Sequence, residues 1–170
     1  MQNTFRKNPI IDVSNLTFSY KKSEPILQDV SFSINTGEII GIVGKSGIGK
    51  STIGYILKGL IPHTFKGHLE GKITVAGFDI KKTKISKLAK KIGMVFQNLN
   101  TQLFNSTVQE EIEFGLRNLN LNLKWAQEAM EFLEISHLAD KIPTNLSAGQ
   151  KQRVILASII AMHPEVLILD

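Results

Sequence analysis

The run Gly44-Lys45-Ser46-Gly47-Ile48-Gly49-Lys50-Ser51, with Thr52 after it, constrains this chain more than any other feature. It fits the phosphate-binding pattern G-x-x-x-x-G-K-[ST]. Glycines let successive backbone N–H groups turn inward around phosphate oxygens, where a Cβ would obstruct. A helix opening near Lys50 adds its positive end. Lys50 places a compact charge on the β- and γ-phosphates, and the Ser51 hydroxyl serves magnesium. The flanks agree with the motif. Residues 39–43, Ile-Ile-Gly-Ile-Val, form the continuous apolar run of a buried strand, and Ile53, Ile56, Leu57 and Leu60 fall at helical spacing before Pro62.

Ahead of this loop, Ile11 and Val13, then Leu16, Phe18 and Tyr20, then Phe32 and Ile34 alternate with polar residues. That pattern predicts short antiparallel strands, with turns at residues 21–25 and 35–37. Ile73, Val75 and a turn at Gly77 predict another, exposed strand, and residues 92–96 a buried one. Beyond them the character becomes helical. Thr107 with Glu110 makes a capping box, and Val108, Ile112, Leu116 and Leu119 supply one apolar face. Ala126, Ala129, Met130 and Leu133 repeat the pattern, with Trp125 packing at or capping the start of that helix. Ser147 and Gln150 offer a second capping box, for a helix that His163-Pro164 closes. The run Val166-Leu167-Ile168-Leu169-Asp170 reads as a buried strand with an acid at its C-terminal end. The fold class is therefore α/β with a helical insertion.

Composition narrows the field. At 170 residues, one domain is the default. No apolar run approaches the roughly 20 residues a membrane span requires. Residues 1–8 are polar with no apolar core behind them, so they do not read as a secretory signal. The absence of cysteine rules out disulfides and cysteine-ligated zinc, which fits a reducing cytoplasm. The net charge of +5 comes from scattered lysines, such as Lys21 and Lys22, Lys81 and Lys82, and Lys90 and Lys91. No aromatic residues interleave them, so a generically basic surface is expected rather than a nucleic-acid partner. His63 and His68 match no common metal-ligand spacing and read as loop histidines.

Leu146-Ser147-Ala148-Gly149-Gln150 follows the glycine loop by about a hundred residues, and the apolar run ending in Asp170 follows by some twenty more. With these three segments in that order, the chain resembles ATP-binding-cassette (ABC) transporter ATPases, over roughly residues 10–170. The resemblance implies a P-loop NTPase fold of the ABC type, with an N-terminal antiparallel β subdomain and a helical signature subdomain. It implies ATP and Mg2+ as cofactors. Gly44, Lys45, Ser46, Gly47, Ile48, Gly49, Lys50, Ser51 and Thr52 would hold the phosphates, and Tyr20 would stack on adenine. Ser51, Gln97 and Asp170 would serve magnesium, with Gln97 also touching the attacking water. Ser147, Gly149 and Gln150 would face the nucleotide of a second cassette in a head-to-tail dimer. The segment Gln97-Asn98-Leu99-Asn100-Thr101-Gln102-Leu103-Phe104, with Thr107-Val108 and Glu113-Phe114-Gly115, resembles energy-coupling-factor importers for vitamins and metal ions. Leu60-Ile61-Pro62-His63 resembles their double-cassette members. The implied partner is a transmembrane subunit whose cytoplasmic helix docks after Gln97, and the implied location is the cytoplasmic face of the membrane.

In the family a water-orienting glutamate normally follows the position of Asp170, then a strand that inserts between the Asp170 and glycine-loop strands, then a histidine that contacts the γ-phosphate. The expectation is therefore that residues 1–170 form one partial cassette with an incomplete central sheet. On their own they would not make an autonomous ATPase, and lacking that glutamate would slow hydrolysis by about 10²–10⁴. The alternatives are a catalytically inactive fragment and a soluble ABC protein of translation or DNA repair.

Overall fold

The computed structural model describes residues 9–21 and 24–170, the side chain of Asn100 excepted. The polar start at residues 1–8, and Lys22 with part of the turn at 21–25, lie outside the described residues. Two compact units divide the chain, Met1–Leu88 and Ala89–Asp170.

In the first unit, period-two alternation builds β1 (Ile11–Ser19) and β2 (Leu27–Ile34). After α1 (Lys50–Lys58) and the short α2 (Leu60–His63) come β3 (His68–Val75) and β4 (Phe78–Asp79). The sheet is antiparallel in the order β2-β1-β3-β4. A single strand carries Ile11 through Phe18, although Val13 and Leu16 break the alternation by one residue. A bulge absorbs the extra residue. Asn15 takes φ 51°, and the pairing jumps from Val13 opposite Phe32 to Leu16 opposite Val30. The Asn15 backbone N–H donates to Ser31 Oγ and its side-chain amide to Asp29 Oδ1, both at 2.8 Å. A short amide side chain tolerates this left-handed backbone, so Ile11, Val13, Leu16 and Phe18 all reach the core. Ile73 and Val75, expected on an exposed strand, are fully buried, because they pair with Val13 and Ile11 of β1 and share the buried face of the sheet with them.

Two further expectations need correction. Residues 39–43 form no strand, and Ile39 and Val43 are 99% and 92% exposed. A strand persists only where its N–H and C=O groups find a neighbour. No described strand pairs with this run, so its apolar composition alone does not make one. His63 and His68 are not in loops. His63 lies in α2 with Nε2 2.9 Å from the Ile80 carbonyl, and His68 opens β3, 2.8 Å from Glu70.

Past α3 (Ile85–Ala89), the second unit begins with β5 (Ile92–Val95). Then come α4 (Val108–Asn118), α5 (Lys124–Phe132), α6 (Ala148–Ile160) and β6 (Val166–Leu169), which runs parallel to β5. Val108, Ile112 and Leu116 of α4 meet Ala126, Ala129 and Met130 of α5 and Val154, Ile155 and Ala157 of α6 in one core. Thr107 caps α4 by accepting the Glu110 N–H, and Trp125 stacks on His163 at 4.3 Å. Among the described residues no helix is long and apolar enough to cross a membrane.

Helices α4 and α5 end alike. Leu121 N–H reaches Leu116 O and Asn120 N–H reaches Arg117 O, while Ile135 N–H reaches Met130 O and Glu134 N–H reaches Glu131 O. Each ending turns through a left-handed residue, Asn120 at φ 52° and Glu134 at φ 57°. Asparagine suits that position; glutamate does not. Glu134→Gly is therefore expected to stabilise the full-length protein by about 1 kcal/mol. That figure is the left-handed penalty less the added entropy of the unfolded chain. The midpoint of chemical unfolding checks it, and an unchanged or lower midpoint refutes it.

Candidate functional site

Residues 44–52 lead from the exposed run at 39–43 into α1. Gly49 is the N-cap of α1 at φ 104°, and a Cβ there would lie 2.9 Å from both Ile26 and Leu27 side chains. Only glycine fits, and the close approach seats the loop against the start of β2. No side chain caps this end of α1, and its first turn holds no acid. The N–H groups and the positive end of the helix therefore favour an external anion. Lys50 Nζ donates to the carbonyls of Gly44 at 3.0 Å and Lys45 at 2.9 Å, which lays its ammonium across the loop. Lys45, Ser46, Gly47 and Ile48 are exposed, Ser51 is half-buried and Thr52 is buried. In the last turn of α1, burial lowers the Lys58 ammonium to about 8. Tyr20, just beyond β1, sits edge-on to Phe18 at 4.7 Å.

The donor set at 44–52 fits a polyphosphate with its magnesium. It holds two lysines, three hydroxyls and no carboxylate, with an uncapped helix start free of acid.

Gln97, Ser147, Gly149, Gln150 and Asp170 belong to the second unit. Gln97 follows β5, and Asp170 follows β6 with its N–H on the Val95 carbonyl at 3.0 Å. Both thus stand at the C-terminal end of the parallel pair, the end at which open α/β sheets hold ligands. A cavity of about 470 Å3 joins Gln97, Asn98 and Leu99 to Ala148 and Lys151 on the first turn of α6. Ser147 and Gln150 form a complete capping box. Ser147 Oγ accepts the Gln150 N–H at 3.3 Å, and Gln150 Oε1 accepts the Ser147 N–H at 3.0 Å. With its oxygen accepting inward, the Ser147 hydroxyl has its proton left to donate outward. Gly149 is exposed beside it, with open space where a Cβ would be.

Three residues gain a setting that spacing alone did not reveal. Phe104 and Phe114 meet edge-to-face at 4.8 Å while remaining 64% and 42% exposed. Below them the buried Glu111 accepts the backbone N–H groups of Phe104 and Asn105. The apolar Phe104 and Phe114 stand in the segment after Gln97, but nothing in their spacing signals exposure. Glu111 carries no signal at all, because its partners are backbone groups. Two residues on, burial pushes the Glu113 carboxyl up. Hydrogen bonds from Gln109 and Arg117, with the Arg117 charge, outweigh that and hold it below the usual carboxylate range.

A family model described as ABC transporter matches residues 27–170. The energy-coupling factor transporter ATP-binding protein EcfA1 of Levilactobacillus brevis is 39% identical over 166 residues, covering 95% of this chain and 58% of that protein. EcfA2 of Caldanaerobacter subterraneus subsp. tengcongensis is 43% identical over 171 residues, covering 94% and 58%. Among solved structures, cbiO1 from Clostridium perfringens, described as part of the ABC transporter complex cbiONQ, is similar with a TM-score of 0.82. It is 34% identical, and the match covers 95% of this chain and 65% of that one. The chain thus spans less than two thirds of the length of each of these relatives.

Proposed function

The chain belongs to the ABC transporter family, and from that premise we propose that it is part of the ATPase subunit of an energy-coupling-factor importer for a vitamin or a metal ion. The observation that carries the proposal is the start of α1, uncapped and free of acid, with Lys50 poised over the loop that precedes it. In this reading residues 1–170 are part of one cassette. The unpaired backbone at 39–43 is then where a neighbouring strand of a complete cassette pairs, with its apolar side chains facing the layers on either side.

Residues 44–52 bind the triphosphate of ATP, and Tyr20 stacks on the adenine. Lys50 leaves the Gly44 and Lys45 carbonyls for phosphate oxygens, exchanging neutral acceptors for anionic ones that bind an ammonium more strongly. Ser51, Gln97 and Asp170 would hold Mg2+, and Gln97 would orient the attacking water. Bound there, the ion would supply charge neutralisation for the triphosphate. Ser147 donates its hydroxyl to the γ-phosphate held by a second, head-to-tail cassette, with Gly149 admitting the phosphate and Gln150 fixing Ser147. A transmembrane subunit docks on the segment after Gln97, where Phe104 and Phe114 stand exposed, and this places the protein peripherally at the cytoplasmic face of the membrane.

Sedimentation of the full-length protein tests the reading. With saturating ATP and magnesium under conditions that slow hydrolysis, its mass, or that of its pair with a homologous cassette, is expected to shift from one cassette to two. A mass that stays at one cassette while ATP is bound would overturn the sandwich, and an absence of ATP binding would overturn the assignment.

A further inference from the structure

Glu111 stands among the least accessible charged groups of the described residues, at 5% exposure, and its carboxylate serves backbone groups of the loop ahead of α4. One of its oxygens, Oε2, accepts two successive backbone N–H groups, those of Phe104 and Asn105, each at 2.8 Å. The loop held this way is unfavourable on two counts. Phe104 points a large apolar ring at solvent, and the Asn105 Nδ2 donor is enclosed without an acceptor among the described residues. Left to itself, such a loop would fold the ring inward and turn the amide out to water. On either side the chain is anchored. Leu103 is buried in the core, and the first N–H groups of α4 donate to the carbonyls of Lys141 and Ala139. Only residues 104–105 depend on the carboxylate. Phe114, three residues along α4 from Glu111, supplies the ring against which Phe104 rests.

We propose that Glu111 is a positioning residue for the transmembrane subunit, a buried clamp whose carboxylate holds Phe104 outward against Phe114 so that a partner helix meets a preformed aromatic ridge. The inference rests on the docking site assigned above to the segment after Gln97. A rigid ridge costs less to bind than one ordered on contact, since the ring's freedom is already spent before the partner arrives. Because one oxygen accepts both bonds, the clamp needs an oxygen at that point and not a negative charge. Glutamine therefore substitutes for it and alanine does not.

Two readouts in the full-length protein test this: hydrogen exchange at amides 104 and 105, and the amount of transmembrane subunit that co-purifies from membranes of the source cells. Glu111→Ala is expected to speed exchange at those two amides by at least about tenfold and to lower the co-purified subunit by a similar factor. Glu111→Gln is expected to stay within about threefold of the parent in both. Phe104→Asp is expected to lose the subunit while both amides stay protected. The clamp is overturned if Glu111→Ala leaves the amides protected, or exposes them without loss of a subunit that Phe104→Asp does lose. Equal failure of Glu111→Ala and Glu111→Gln also overturns it. If Phe104→Asp retains the subunit in full, the docking site itself is what fails. Should Glu111→Ala open the whole of α4, seen as exchange spread along the helix, Glu111→Asp withdraws the oxygen by one methylene and is judged by the same outcomes.

Discussion

Lys50→Ala is expected to lower the ATP affinity of the full-length protein about 100-fold, as a calorimetric titration would read it. Charge-assisted hydrogen bonds contribute about 1.5–3 kcal/mol each, and each 1.4 kcal/mol is tenfold in affinity. The loss is less than the full sum, because Lys50 gives up two loop carbonyls before it reaches the phosphates. Removing it also removes a side-chain tie between α1 and the Gly44–Lys45 turn, so the loop itself should loosen. Lys50→Arg is not expected to restore binding, since a flat guanidinium fork does not replace a compact ammonium. Binding by Lys50→Ala within threefold of the parent would exclude residues 44–52 as the triphosphate site.

Gly71→Ala is expected to carry the largest stability loss. A Cβ at that position would meet the Asn15 carbonyl oxygen at 2.5 Å and the Ser14 carbonyl oxygen at 2.6 Å, and φ is already +86°. Both obstacles are backbone atoms, so neither can swing aside. The left-handed conformation costs about 1–2 kcal/mol and overpacking about 1–3 more, so a total near 3 kcal/mol is expected in chemical unfolding. Gly77→Ala separates the two causes, because φ there is +78° but the space is open. It should show the conformational cost alone. Equal losses at the two positions would mean that the approach of β3 to the β1 bulge is not as close as described.

Local chemistry was readable wherever a residue acts on its own neighbours. Thr107 and Ser147 announce helix starts because a cap needs only a hydroxyl and the N–H three residues on. The glycine loop and α1 follow from one motif. Pairing was less readable, since it depends on residues far away in sequence. Residues 39–43 have the composition of a strand and no described neighbour, so composition overstated them. Leu16 breaks the alternation begun by Ile11 and Val13, a slip that only the bulge at Asn15 explains. The left-handed turn at Glu134 gave no warning, because no glycine marks it. For the candidate site, the residue types were visible as a set. The capping box that orients Ser147, the placing of Gln97 and Asp170 at one end of a parallel pair, and the support beneath Phe104 required coordinates.

The uncovered run at 39–43 also bears on how the chain behaves among its own copies. Three isoleucines and a valine in extended reach of solvent have the composition of a segment that pairs with itself between chains, at a rate that climbs with the square of concentration. The sequence carries a restraint against this. Gly41 interrupts the run, and Glu38 and Lys45 set opposite charges near its ends in the manner of gatekeepers. Glu38 is fixed in that post, accepting the Asn35 backbone N–H at 2.8 Å and its side-chain amide at 3.0 Å. Until the rest of a complete cassette covers the run, as during folding, these marginal charges are the restraint that the described residues supply.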